Sequence, residues 1–324
     1  MQPATRPTTL PATREVTVHN TLPRRDDQGR IVDAHDGCLR HYAGRFWWYG
    51  TAYGDTDGFT PANRYVVYSS PDLAAWRLEG DILPERREGV YYRPHVIRRP
   101  SDGKYILWYN WYPKLWDGQI GVATADSPAG PFRVEDDNVR VDHQRPGDFD
   151  IFVDDQPGAD GGGYIIYTSI EGGHAMHVER LTEDLLGSTL EGSGMLDKSV
   201  EASTMFRRGE VYYAIFGALC AFCPGGADAR VFMAEKPLGP WRAAGNISRY
   251  SDGRVIIPAQ QTGVARLPSA DGEVYLWTGD RWWSRPDGIK GHDFQYWSPP
   301  LTFRGDGTIE PLKWVEKWTF RTPG

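Results

Sequence analysis

One pattern recurs five times along the 324 residues: a short apolar strand, a glycine turn, an aromatic strand, a third strand, then a Pro/Gly turn leading to Trp or Phe. The first two blocks read CLRHYAGRFWWYGTA with YVVYSSPDLAAW, and HVIRRPSDGKYILWYNW with IGVATADSPAGPF. The third and fourth read IFVDDQPGADGGGYIIYTS with AMHVERLTEDLLG, and TMFRRGEVYYAIFGA with RVFMAEKPLGPW. The fifth is GVARLPSADGEVYLWTGD with FQYWSPPLTFRGDG. Their aromatic strands begin near Trp47, Tyr105, Tyr164, Tyr212 and Tyr275, at spacings of 58, 59, 48 and 63 residues. Each block has room for about four strands and shows no helical periodicity. The expected fold is therefore all-β, a five-bladed β-propeller, in which radial repetition hides most sheet edges around a central channel. A β-sandwich is the alternative, but it has no use for five copies of one meander. Residues 1–20, rich in Pro and Thr, read as a mobile leader, and 21–324 as a single propeller domain.

Composition narrows the partners. The formal net charge is −7 and no run of Lys or Arg exceeds two residues, so the chain carries no electrostatic footprint for nucleic acid or an anionic membrane. No apolar run approaches the roughly 18 residues of a membrane-spanning helix, so a soluble protein is expected. The opening MQPATRPTTLPATREVT lacks the apolar stretch of a secretory signal, which leaves the compartment open. A neutral substrate suits this charge balance, and the 13 Trp, 17 Tyr and 12 Phe exceed what a core needs, as in carbohydrate grooves. Cys38, Cys220 and Cys223 make no disulfide framework, and Cys220-Ala-Phe-Cys223 reads as two small loop residues.

The first strand of each propeller blade lines the channel, so side chains at its entrance converge. Three blocks carry an acid there: Asp36 before the first, Asp148 in GDFDIFVDD, and Glu201 in EASTMF. The second block has Tyr92 and Arg93 in that place, and the fifth has Gln260 and Gln261. Taken singly, each acid reads as a solvated turn residue, and Asp36-Gly37 as a turn before a β-run. Three carboxylates in one channel mouth raise each other's pKa, a cost that suits chemistry needing a protonated and an ionised carboxyl together. Inverting glycoside hydrolysis is such chemistry, with one carboxylic acid protonating the leaving oxygen and one carboxylate activating water.

The ordered set AHDGCLRHYAGRFWWYGT, VVYSSPDLAAW, RPHVIRRPSDGKYILWY, GVATADSPAGPF, DFDIFVDD, EASTMFRRGEVYYAIFG and YLWTGDRWW resembles glycoside hydrolase family 43. The resemblance implies the general base at Asp36, a pKa-modulating acid at Asp148 and the general acid at Glu201. RPHVIRRPSDGKYILWY, GVATADSPAGPF and TGDRWW are most similar to the exo-β-1,3-galactanase subgroup, which commonly lacks the first-blade Asp and is thought to use a last-blade Gln instead. Gln260 in PAQQTG matches that Gln, whereas Tyr92 stands where the subgroup often has Glu. The expected function is exo-acting, inverting hydrolysis of an oligosaccharide or polysaccharide, most similar to galactan 1,3-β-galactosidase. α-L-Arabinofuranosidase or β-xylosidase activity is the alternative within the family, and a non-catalytic carbohydrate-binding propeller the alternative outside it.

Candidate substrate-binding residues are His35, Arg93, Trp111, Gln260, Arg281 and Trp282. Trp116 and Trp283 are further stacking candidates, while Trp47 and Trp297 lie in strands and read as core. His35 either orients substrate or is a packed, hydrogen-bonded residue. Arg281 offers a guanidinium fork to sugar hydroxyls, or pairs with Asp280. No cofactor is required and no metal ligand is assigned. Family members often hold calcium or another cation in the channel, and the nearest equivalent here is the neutral oxygen of Gln260.

Overall fold

The structure, a computed structural model, describes residues 13–156, 158, 161–223 and 228–323. The first strand, β1, is Glu15–His19. Blade one is β2 (His35–Tyr42), β3 (Arg45–Ala52), β4 (Arg64–Ser70) and β5 (Arg77–Asp81). Blade two is β6 (Val90–Arg98), β7 (Tyr105–Tyr112), β8 (Gln119–Ala125) and β9 (Arg133–Asp136). Blade three is β10 (Pro146–Val153), β11 (Gly163–Ser169), β12 (Ala175–Leu181) and β13 (Ser188–Met195). Blade four is β14 (Val200–Arg208), β15 (Val211–Ala218), β16 (Arg230–Ala234) and β17 (Arg242–Asn246). Blade five has three strands, β18 (Gln260–Ser269), β19 (Gly272–Arg281) and β20 (Phe294–Trp297). The last strand is β21 (Lys317–Arg321).

Every blade is an antiparallel meander in chain order, and the five together form the expected β-propeller. No helix among the described residues is long and apolar enough to cross a membrane. Residues 1–12 of the expected leader lie outside the described residues, and its last part instead forms β1, which pairs antiparallel with β21. Asn20 carries this clasp onto blade five, its side chain giving to and taking from the backbone of Trp297. The paired ends thereby cover the blade that has one strand fewer.

Burial between blades absorbs most of the surplus aromatics. Trp48, Trp76 and Trp297 meet edge to face where blades one and five join, with ring centroids 5.0 to 5.9 Å apart. This is the favoured arrangement of aromatic quadrupoles. Trp47 packs between blades one and two. Both Trp47 and Trp297 are therefore core residues.

Candidate active site

Each innermost strand carries one extra residue relative to its partner, and at the same end. The register slips between His35 and Cys38 on β2, between Tyr92 and His95 on β6, and between Pro146 and Phe149 on β10. It slips again between Glu201 and Thr204 on β14, and between Gln261 and Gly263 on β18. Such bulges bend a strand and re-aim its side chains. Within them Asp36, Arg93 and Ala202 adopt the left-handed region, at φ 48°, 50° and 59°, which costs energy for residues other than glycine. Asp36-Gly37 is thus part of a bulge rather than a hairpin turn. Gly37 is needed there for space, because a Cβ would lie 2.1 Å from the carbonyl oxygen of Tyr49.

The bulge buries the Asp36 carboxyl, which is 4% exposed. Thr51 Oγ1 donates to its Oδ1 at 2.6 Å, Tyr53 Oη to its Oδ2 at 2.5 Å, and the Arg93 amide to Oδ1 at 3.2 Å. Asp280 anchors the segment from behind: its Oδ2 accepts the Asp36 amide at 2.6 Å, and its Oδ1 lies 3.1 Å from His35 Nδ1. Burial pushes the Asp36 pKa up to about 6, against the pull of the Arg93 charge and of the Thr51 and Tyr53 hydroxyls. Three donors leave one of the roughly four acceptor positions of a carboxylate open.

Glu201, half-buried, has Asp148 as its neighbour. Burial, then the neighbouring Asp148 charge, raises its pKa to about 7, while the backbone amides of Ala221 and Phe222 and the Arg93 charge oppose the rise. The Ala221 amide donates to Glu201 Oε1 at 2.5 Å. Asp148 lies 2.8 Å from Arg93 Nε and accepts the Ala202 amide at 3.0 Å. Both carboxyls are thus held above their ordinary range, Asp36 at about 6 and Glu201 at about 7.

Gln260 stands beside Asp148, with Nε2 3.3 Å from Asp148 Oδ2 and Oε1 accepting the Trp282 indole N–H at 2.6 Å. His35 lies against Trp282, with ring centroids 5.2 Å apart, and its Nε2 is 3.2 Å from the Gly291 carbonyl. Burial works against a charged His35, but the Asp280 carboxylate holds its pKa up to about 9. The structure therefore brings together Asp36, Asp148, Glu201, His35, Arg93, Gln260 and Trp282.

Two candidates fall elsewhere. Trp111 is buried between blades one and two, stacked on Tyr91 with its indole N–H given to the Asp137 carbonyl, so it has no free face for a sugar. Arg281 points away from the channel, donating to the Asn20 carbonyl at 2.7 Å and lying over Trp314. Alternation explains this: Asp280 faces the site, so its neighbour on the same strand faces the other way. Asp280 pairs with His35 rather than with an arginine. Trp116 and Trp283 are 57% and 55% exposed, as a stacking platform requires.

Sequence reasoning missed Tyr53, Thr51, Ala221 and Phe222 as partners of the two acids. Thr51 and Tyr53 close the aromatic run FWWYGTAY, and that position was their only signal. Cys220 and Cys223 are joined in a disulfide rather than being two unlinked loop residues, and the pair brackets Ala221 and Phe222. Lys290, from the 3₁₀ turn Lys290–His292, gave no sequence signal at all.

Gln260 Oε1, the expected oxygen donor, accepts the Trp282 indole N–H, and among the described residues no three His, Cys, Asp or Glu side chains are placed to hold a metal ion.

Two carboxyls with raised pKa values at one end of a five-bladed propeller suit the chemistry of a glycoside hydrolase. The model of glycosyl hydrolases family 43 matches residues 48–271, and the chain belongs to that family. A comparison with curated proteins finds no match. Among solved structures, a family 43 β-1,3-galactosidase, BT0265, superposes with a TM-score of 0.78 at 24% identity, over 94% of this chain and 64% of that one. A second, BT3683 with galactodeoxynojirimycin, gives 0.79 at 22% identity, over 93% and 99% of the two chains. An exo-β-1,3-galactanase from Clostridium thermocellum gives 0.78 at 25% identity, over 93% and 66%. The family match begins after Asp36.

A pH profile tests the site. On a glycoside with a poor leaving group, kcat/KM should peak between pH about 6 and about 7, falling on the acid side as Asp36 gains a proton and on the alkaline side as Glu201 loses one. Asp148→Asn removes a neighbouring negative charge and should move the alkaline limb to lower pH. A limb that does not move would leave Asp148 no part in tuning Glu201.

Proposed function

We propose that this protein is an exo-acting, inverting glycosidase that removes terminal β-1,3-linked galactose from an oligosaccharide or polysaccharide. The observation that carries the reading is a pair of carboxyls held in one site, Asp36 with three donors on it and Glu201 half-buried beside Asp148. Glu201 donates its proton to the glycosidic oxygen as the bond to the anomeric carbon breaks. Asp36 takes a proton from the water that attacks the opposite face. Asp148, clamped by Arg93, keeps Glu201 protonated until substrate arrives, and Trp116 and Trp283 offer faces on which sugars stack. The galactose preference is supported by the substrates named for the similar structures and by TGDRWW.

The test is a screen of β-1,3-galactan and of aryl galactosides, arabinofuranosides and xylosides, with the first-formed sugar followed by proton NMR. Galactose released as the inverted anomer is expected. Release of arabinose or xylose instead would overturn the substrate, a retained anomer the mechanism, and binding without release the enzymatic reading.

A further inference from the structure

Lys290 has no part in the chemistry above, yet it is 2% exposed and sits against the site. Its Nζ stands 3.9 Å from the ring centroid of Trp282, 4.0 Å from that of Phe222 and 4.9 Å from that of Tyr53. Among the described residues the ammonium makes no salt bridge and donates no hydrogen bond. A cation largely removed from water needs compensation, and here three aromatic faces supply it.

Each of those rings belongs to a residue that holds one member of the site. Tyr53 donates to Asp36 at 2.5 Å, and Trp282 to Gln260 at 2.6 Å. Phe222 follows Ala221, and the backbone amides of both act on Glu201. The three come from loops of blades one, five and four, with no strand pairing between those blades. Phe222 and Trp282 also touch each other, as do Tyr53 and Trp282. We propose that Lys290 is a positioning residue, a cation that draws three aromatic arms together and so sets the base, Gln260 and the acid in one geometry. This rests on the roles proposed above for Asp36 and Glu201.

The groups facing Lys290 are Asp36 and His35 from β2, Asp280 from β19, Tyr53 from blade one, and Asp293 and Arg285 from its own loop. Burial lowers its pKa to about 8, with Asp293, Asp36 and Asp280 opposing and Arg285 assisting. Its charge is therefore present at neutral pH and is lost just above the pH at which Glu201 ionises. An aryl glycoside with a very good leaving group needs no proton from Glu201, which exposes the Lys290 titration.

The experiment measures kcat and KM against pH on the dinitrophenyl glycoside of the sugar identified by the screen, for the native protein, Lys290→Arg and Lys290→Met. The native protein should show an alkaline limb near pH 8. Arginine stays charged and still stacks on rings, so Lys290→Arg should hold kcat within a few-fold and carry its limb upward, toward the His35 value of about 9. Lys290→Met should lower kcat by about 10- to 10²-fold at every pH, with a smaller change in KM, the scale of a site misplaced by a fraction of an ångström. A methionine variant with native kcat, or an arginine variant no better than methionine, would overturn the proposal. If Lys290→Met does not fold by thermal unfolding, the arginine limb decides, and a limb left at pH 8 is the refuting result. A native protein inactive on every glycoside refutes instead the catalytic reading on which the proposal rests.

Discussion

Glu201→Gln should lower kcat on a sugar or alkyl leaving group by about 10²- to 10⁴-fold, the usual contribution of general acid catalysis, and should leave hydrolysis of a dinitrophenyl glycoside nearly unchanged. The difference follows from chemistry at the leaving oxygen: a sugar alkoxide must be protonated as it departs, a dinitrophenolate need not be. The environment supports the role, because burial and Asp148 together keep the Glu201 carboxyl protonated to about pH 7. Glutamine keeps the shape and can still accept the Ala221 amide, so the loss can be assigned to the proton. Steady-state kinetics on the two substrate types, with thermal unfolding as the folding control, is the measurement. Equal losses on both would remove Glu201 from the acid role.

Asp36→Asn should cost a similar factor, about 10² to 10⁴ in kcat with KM largely kept, and on both types of substrate, since every leaving group needs an activated water. Gln260→Ala should act more mildly and mainly through KM. The geometry separates them. Asp36 keeps an open acceptor position and titrates near pH 6, whereas Gln260 is a neutral amide whose oxygen already accepts the Trp282 indole N–H and whose nitrogen faces Asp148. An amide can serve as a base only through an unfavourable tautomer. Should Asp36→Asn prove nearly silent and Gln260→Ala crippling, Asp36 would be reduced to holding its bulge, with the last-blade Gln handling the water.

The candidate site was legible in part because the repeat made it so. Asp36, Arg93, Asp148, Glu201 and Gln260 lie in or next to the register slip of the innermost strand of each block, and a symmetric fold brings those five slips together. Trp111 and Arg281 were not legible, for a physical reason. Whether a tryptophan faces sugar or a neighbouring blade depends on which side of a strand is covered, and Trp111 lies on the side that blade one covers. Arg281 follows Asp280 in TGDRWW, and one step along a strand reverses the direction of the side chain. The link between Cys220 and Cys223 was equally hidden, since two cysteines in one loop read alike with and without a bond.

The sequence by itself determined the all-β class, the number of blades and the three acids, because those rest on periodicity, and periodicity is local information repeated. Only the tertiary structure decided what the acids do. The bulge that turns Asp36 inward, the Asp280 and His35 pair behind it, and the Lys290 cation among three rings join residues up to 245 positions apart. Asp36 and Glu201 begin as carboxyls of nearly equal acidity. What separates them is how deeply each is buried and which charge or donor lies within a few ångströms, and both are set by packing between blades.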